Sequence, residues 1–252
     1  MKYLAEMTFV EVQEAAKDGI AILPVGAIEA HGPHLPLLTD VIIARGMSVA
    51  GARALVARGF PHVVVAPPLQ FTTAGFAAGF PGTLSLKPET FTAVLVDALL
   101  SLHRAGFPRV VLANPHLDPD HLASLHEGVR MARSQGVSVT FPDITRKPWA
   151  LRLTAEFKSG ACHAGQFETS IVMAERPDLV RETIRTGLAS NPASLSQAIR
   201  EGKKTFEEAG GSEAYFGFPQ NASVEEGRET LITLGAILAD AVIADRDARS
   251  GE

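Results

Sequence analysis

Four short apolar runs rich in β-branched residues, separated by helix-length amphipathic segments, constrain this chain more than any other feature of its sequence. The runs are Ile20–Val25, His62–Ala66, Arg109–Ala113 and Val137–Phe141. Runs this short, bounded by turn residues, read as strands buried on both faces. Between them, Asp40–Arg58, Pro88–Ala105 and Pro119–Ser134 place apolar residues at the spacing of one helix face, and Gly59, Gly106 and Gly136 follow as C-terminal caps. Strands alternating with helices in this order are the pattern of an α/β fold. The pattern therefore predicts an α/β fold with a mostly parallel sheet covered on both faces.

Thr8 and Glu11 have the spacing of a capping box, which predicts a first helix over Thr8–Lys17. Beyond Phe141 the pattern turns helical, through Pro148–Lys158, Phe167–Ala174, Leu195–Glu208 and Val224–Ala244. No repeat, low-complexity tract or linker interrupts the chain, so residues 1–252 read as one domain. With 23 basic against 28 acidic residues the net charge is −5, which argues against a nucleic-acid partner. The single cysteine, Cys162, allows no intrachain disulfide and suits a reducing compartment. The N-terminus lacks the apolar stretch and cleavage site of a secretory signal and no segment is long enough to span a membrane, so a cytoplasmic location is expected.

Ligands of open α/β sheets bind beyond the carboxyl ends of the strands. The first strand runs into a Gly/Pro-punctuated segment holding Glu29, His31, His34 and Asp40; the third runs into Asn114-Pro115-His116-Leu117-Asp118; the helical half adds Cys162-His163-Ala164-Gly165 and Glu168-Thr169-Ser170. Glu29 and His31 are two apart, so in extended chain they point the same way, and His116 and Asp118 repeat that spacing. Asp40, at the start of a helix, has two oxygens with which to bridge two ions. Mixed imidazole and carboxylate ligands suit zinc, manganese or iron better than calcium or magnesium. Asp118 is expected as a ligand, with helix capping as its competing role. His34 is expected to orient its loop, His121 and His126 to lie on a solvated helix face, and Cys162 to be a buried thiol rather than a nucleophile. Trp149 is either core or a flat wall of the site.

Together these segments resemble the creatininase (creatinine amidohydrolase) family. The resemblance rests on Gly26, Glu29 to Pro36 and Thr39-Asp40, on Phe80-Pro81-Gly82-Thr83-Leu84-Ser85-Leu86, on His163-Ala164-Gly165 with Glu168-Thr169-Ser170, and on the Tyr215–Gly227 loop. It implies a three-layer α/β/α sandwich with two metal ions bridged by Asp40, Glu29 and His116 completing one site and His31 the other. It also implies a homo-oligomer, with a hexamer as one form. The chain departs from the family at the third strand, where many members have Asn-Gly-His-Gly-Gly-Asn and creatininase has a Glu two residues after the His; Asp118 can stand in for that Glu. Cys162 occupies the place of a Glu before the catalytic His, which argues against creatinine itself as substrate.

The expected function is metal-dependent hydrolysis of a C–N bond in a small cyclic amide, imide or formamide by metal-activated water. In it His163 passes a proton to the leaving nitrogen, and Glu168 orients His163 or supports a metal ligand. Phe80–Ser85 and the Gly217 loop are expected to wall the cavity. A lactone hydrolase and a catalytically inactive metal-binding accessory protein are the alternatives. Phosphate or nucleotide binding is disfavoured, because no Gly-rich loop with a Lys follows a strand.

Overall fold

In the computed structural model, which describes residues 1–250, the chain begins with β1 (Lys2–Tyr3), α1 (Phe9–Ala16), β2 (Ile20–Pro24), α2 (Thr39–Ala57), β3 (Val63–Val65) and α3 (Pro88–Arg104). It continues with β4 (Arg109–Ala113), α4 (Pro119–Ser134), β5 (Val139–Thr140), α5 (Ala155–Ser159) and α6 (Gln166–Glu175). The last helices are α7 (Glu182–Gly187), α8 (Leu195–Arg200) and α9 (Val224–Ser250). The five strands form one parallel sheet in the order β1-β3-β2-β4-β5, with Ile20 to Pro24 facing Arg109 to Ala113 in register.

Alternation along the strands builds the two flanking layers. Ile20, Ile22, Val63, Val65 and Val111 point to one face, where they pack with Ile43, Met47 and Leu55 of α2, Phe167 and Ile171 of α6 and Leu234, Ile237 and Leu238 of α9. Ala21, Leu23, Val64, Val110 and Leu112 point to the other, against Phe91, Leu95 and Leu99 of α3 and Leu125 and Val129 of α4. Burial on both faces explains why the strands read as continuous apolar runs rather than alternating ones. The result is the expected α/β/α sandwich.

Several boundaries differ from the expectation, each for a local reason. The helix expected over Pro148–Lys158 splits into a 3-10 turn, Trp149–Arg152, and α5, because Leu153 is extended (φ −87°, ψ 173°) and Thr154 starts a new helix by accepting from Phe157 N. The helix from Leu195 stops at Arg200, where Gly202 takes φ 86° and Lys203 N turns back onto Ala198 O. β1 was not expected at all, since two residues carry no readable periodicity; it pairs through Lys2 and Tyr3 with Val64 and Val65. The capping box of α1 forms as expected, Thr8 Oγ1 accepting from Glu11 N and the Glu11 carboxylate accepting from Thr8 N.

From β2 the chain crosses to β3 on one side and only later to β4 on the other, so the strand order reverses at β2. A crevice beyond the carboxyl ends of β2 and β4 is where such a sheet binds its ligand. No helix among the described residues is long and apolar enough to cross a membrane.

Candidate metal centre

The loops leaving β2 and β4 meet above that reversal point. Gly26 follows β2 and lies against the first turn of α2; a Cβ there would sit 2.8 Å from the Asp40 carbonyl carbon and 2.8 Å from Val41 N. Backbone cannot yield as a side chain can, so the missing Cβ is what lets α2 bring Asp40 to the strand end. Thr39 Oγ1 donates to Pro36 O at 2.7 Å, and Glu29 N donates to Leu37 O at 3.1 Å, closing the loop between them. Gly26→Ala is expected to destabilise the fold by about 1–3 kcal/mol through overpacking and to weaken metal binding in parallel. A thermal melt beside a metal titration reads both, and an unchanged affinity would show that Gly26 does not position Asp40.

Glu29, His31, Asp40, His116, His163 and Glu168 converge, all buried, in three overlapping groups: Glu29/Asp40/His116, His31/Asp40/Glu168 and Glu29/His31/His163. Within each, the candidate ligand atoms lie within 4.8 Å of one another. Asp40 joins the first two, presenting Oδ2 to His116 Nδ1 at 3.0 Å and Oδ1 to His31 Nε2 at 3.4 Å. Glu29 Oε1 lies 3.2 Å from His116 Nδ1, and Glu168 Oε2 lies 3.5 Å from His31 Nε2.

The imidazoles are held with their lone pairs toward the carboxylates. His116 Nε2 meets Thr73 O at 2.8 Å, His31 Nδ1 meets Glu29 O at 3.1 Å, and His163 Nε2 meets Ala30 O at 3.0 Å. A carbonyl only accepts, so each of those nitrogens carries the proton, and in the neutral ring the other nitrogen is a bare acceptor. An acceptor facing a carboxylate is repulsive unless a cation lies between them. Glu29 Oε2, Asp40 Oδ2 and His31 Nε2 accordingly have no hydrogen-bond partner.

Charge balance points the same way. Three carboxylates share a buried cluster whose ion-pair partners among the described residues are all imidazoles, and an uncompensated buried ion costs several kcal/mol, against a typical total stability of about 5–15 kcal/mol. Protons can supply part of the missing charge. Burial alone pulls the His31 imidazole down, yet Asp40, Glu168 and Glu29 push it up to about 10. Burial lifts Glu168 to about 8, with His31 opposing, while Asp40 is held well below the carboxylate range by His116 and His31 against its own burial. The donors that attract protons so strongly are a mixed imidazole and carboxylate set, which fits divalent transition metals.

Asp118 does not join the cluster, which corrects its expected role as a ligand. Its Oδ1 accepts from Asp120 N at 2.9 Å and His121 N at 3.2 Å as the N-cap of α4, and its Oδ2 accepts from Phe76 N at 3.1 Å. The competing role wins because the Pro119 turn aims the short side chain back at its own helix. Asp118→Ala is expected to cost about 1–3 kcal/mol of stability through the lost cap and tether while leaving metal content unchanged; a fall in metal per chain at full folding would return Asp118 to the ligand set.

Glu168, in the first turn of α6, accepts from Ala164 N at 2.6 Å and faces His31, so Ala30 O rather than Glu168 orients His163. His34 does tie its loop down, pairing through Nε2 with Thr169 Oγ1 at 2.9 Å. His121 is a correction: it is fully buried, meets Asn114 Oδ1 at 2.8 Å, and stacks on Phe91 with ring centres 4.9 Å apart. Asn114 Nδ2 donates in turn to His116 O at 2.7 Å, so this pair supports the His116 loop. Helical spacing could have shown it, since His121 shares a face with the buried Ser124, Leu125 and Gly128. Glu156, which the sequence reading missed, accepts from Gln166 N, Phe167 N and Phe218 N at 2.7–2.9 Å and caps α6, whose own N-cap Gly165 has no side chain to offer.

A cavity of about 820 Å³ opens onto the cluster, with Glu29, Asp40, His116, His163 and Glu168 among its lining residues. Phe76 and Phe206 line it, whereas Phe80–Ser85 and Gly217, expected as walls, stand behind: Phe80 packs on Phe206 and Thr83 Oγ1 accepts from Ala30 N. Trp149 packs half-buried against the core and is not part of the lining. Cys162 lines the cavity, but burial, Glu168 and Glu156 push its thiol well up, so it stays protonated and unsuited to attack.

A parallel sheet covered on both faces, with an imidazole and carboxylate cluster beyond two central strands, defines an α/β protein equipped for hydrolytic chemistry. The model of the creatininase family, described as creatinine amidohydrolase, matches residues 5–242. Creatinine amidohydrolase of Pseudomonas putida is 31% identical over 198 residues, covering 71% of this chain and 73% of its own. The mycofactocin precursor peptide peptidase of Mycobacterium ulcerans is 29% identical over 211 residues, covering 82% of this chain and 78% of its own. A solved manganese form of creatininase superposes with a TM-score of 0.70 at 27% identity, covering 95% of this chain and 96% of that one. The chain belongs to the creatininase family of amidohydrolases.

Proposed function

We propose that this protein hydrolyses the C–N bond of a small amide, in the range of cyclic amides, imides and formamides, at a centre holding two divalent ions, zinc or manganese with iron as a further fit. The observation that carries this reading is Asp40, which turns one carboxylate oxygen to each of two ligand groups. Glu29 and His116 would hold one ion and His31 and Glu168 the other, with Asp40 shared between them. When bound, such a pair lowers the pKa of water toward neutrality and polarises a carbonyl.

The chain's own residues would do the rest. His163 faces the cavity, packed between His31 and Phe206 with ring centres 4.3 and 4.2 Å away. Its Nε2–H is fixed on Ala30 O, and burial, reinforced by His31, holds its pKa well below the usual imidazole value. It therefore waits as a neutral base whose Nδ1 can take a proton from the attacking water and return it to the leaving nitrogen. Phe76 and Phe206 exclude bulk water from that transfer.

Metal content per chain, measured by elemental mass spectrometry on protein purified without chelator, tests the reading. About two equivalents, with turnover of a cyclic amide, imide or formamide that chelation abolishes, is the expected result. Turnover of lactones alone would redirect the substrate class, and protein that cannot be loaded with metal would overturn the reading in favour of an accessory role.

A further inference from the structure

The cavity's size and its distribution of charge narrow the substrate further. About 820 Å³ lies in the upper part of the roughly 300–1,000 Å³ range of sites for drug-sized ligands, far more than a compact ring amide fills. The floor is acidic, with Glu29, Asp40 and Glu168, and the mouth is basic: Arg146, Lys147, Lys158 and Arg200 all line it and are all exposed.

The carboxylates near the mouth are already engaged. Asp143 pairs with Arg146 Nε at 3.0 Å and His126 Nε2 at 2.9 Å, and accepts from Thr145 N at 3.0 Å, which anchors the turn carrying Arg146 and Lys147. Asp118 is occupied by backbone N–H groups. Lys147, Lys158 and Arg200 take part in no ion pair among the described residues. In a chain of net charge −5 the mouth thus reverses the sign of the molecule as a whole, and a low-dielectric cleft concentrates such a field. The lining also includes the apolar side chains of Leu117, Leu122, Phe157 and Ile199.

We propose that the substrate carries its cyclic amide, imide or formamide group at one end of an elongated apolar body and a carboxylate at the other, held at the mouth by Lys147, Lys158 and Arg200 with help from Arg146, while the scissile C–N bond lies over the floor. The inference rests on the amidohydrolase reading only for which bond is cut. One exposed cation contributes little to binding a carboxylate, but several converging on one mouth make a measurable preference.

Binding of adipic acid monoamide and of adipamide, which differ only in a terminal carboxylate against a carboxamide, tests this at low ionic strength, read before turnover on metal-loaded protein and at equilibrium on chelated protein. The monoamide is expected to bind at least about tenfold more tightly, about 1.4 kcal/mol, in both forms. That preference should fall below about twofold in the Lys147→Glu/Lys158→Glu/Arg200→Glu variant and shrink at high salt. These positions are exposed, so fold and metal content should be unchanged in the variant. Equal affinity for the two probes, no binding of the monoamide at millimolar concentration, or a preference that survives in the triple variant would overturn the proposal. A preference lost on chelation would also overturn it, by placing the carboxylate on the floor. Failure of the metal reading would show separately, as protein without metal whose mouth still distinguishes the probes.

Discussion

Asp40→Ala is expected to reduce metal content from about two equivalents per chain to below one and to lower kcat by at least about 10³-fold, about 4 kcal/mol of transition-state stabilisation. The size of the effect follows from position. Asp40 is the only residue common to the Glu29/Asp40/His116 and His31/Asp40/Glu168 groups, so in the proposed two-ion centre its loss would strip a ligand from both groups at once. Stability gives a second readout. A ligand that binds only the folded state raises Tm by mass action, so metal should raise the Tm of the unaltered protein and leave the variant almost unmoved. The isosteric Asp40→Asn separates charge from packing, since it fills the same volume without supplying the bridging anion. Retention of two tightly held ions and full turnover in Asp40→Ala would sink the dinuclear reading.

The second large effect is expected at His163. His163→Ala should lower kcat by about 10²–10⁴-fold, the usual worth of a positioned acid–base group, while both metal equivalents remain. That separation matters because His163 Nδ1 also lies 3.9 Å from Glu29 Oε1, close enough to belong to a ligand group. A proton carrier and a ligand differ in what their removal does: the first lowers turnover at constant metal, the second lowers both together. Added imidazole should restore part of the activity, because the ring's volume at the cavity wall becomes free. Metal falling in step with activity would make His163 a ligand instead.

The segments that supply the centre were legible in the sequence because their signals are local. Glu29 and His31 at a two-residue spacing after a strand, His116 after another, and Asp40 at a helix start can each be read from a short stretch of chain, and the structure brings these four together. Asp118 was legible in the wrong sense: paired with His116 it reads as a ligand and ahead of Pro119 as a helix cap, and besides the cap its second oxygen is taken by the backbone of Phe76, more than forty residues away, a contact no local pattern shows. His121 was misplaced because a histidine in a helix is ordinarily solvated; only the packing of α3 against α4 buries it between Phe91 and His116.

By itself the sequence determined the α/β class, the parallel strands and the location of the site beyond them, because burial on both faces, crossover length and capping residues are written in contiguous stretches. Tertiary structure decided the rest. It joined Glu168 to His31 and Asp40 across well over a hundred residues, aimed each imidazole by a carbonyl from another loop or from within its own, and capped α6 with Glu156 from a neighbouring helix. It also gathered Arg146, Lys147, Lys158 and Arg200 around one cavity mouth. Such placements arise from the long-range closure of loops over a rigid sheet, and no local pattern of residue types encodes which distant backbone group a side chain will meet.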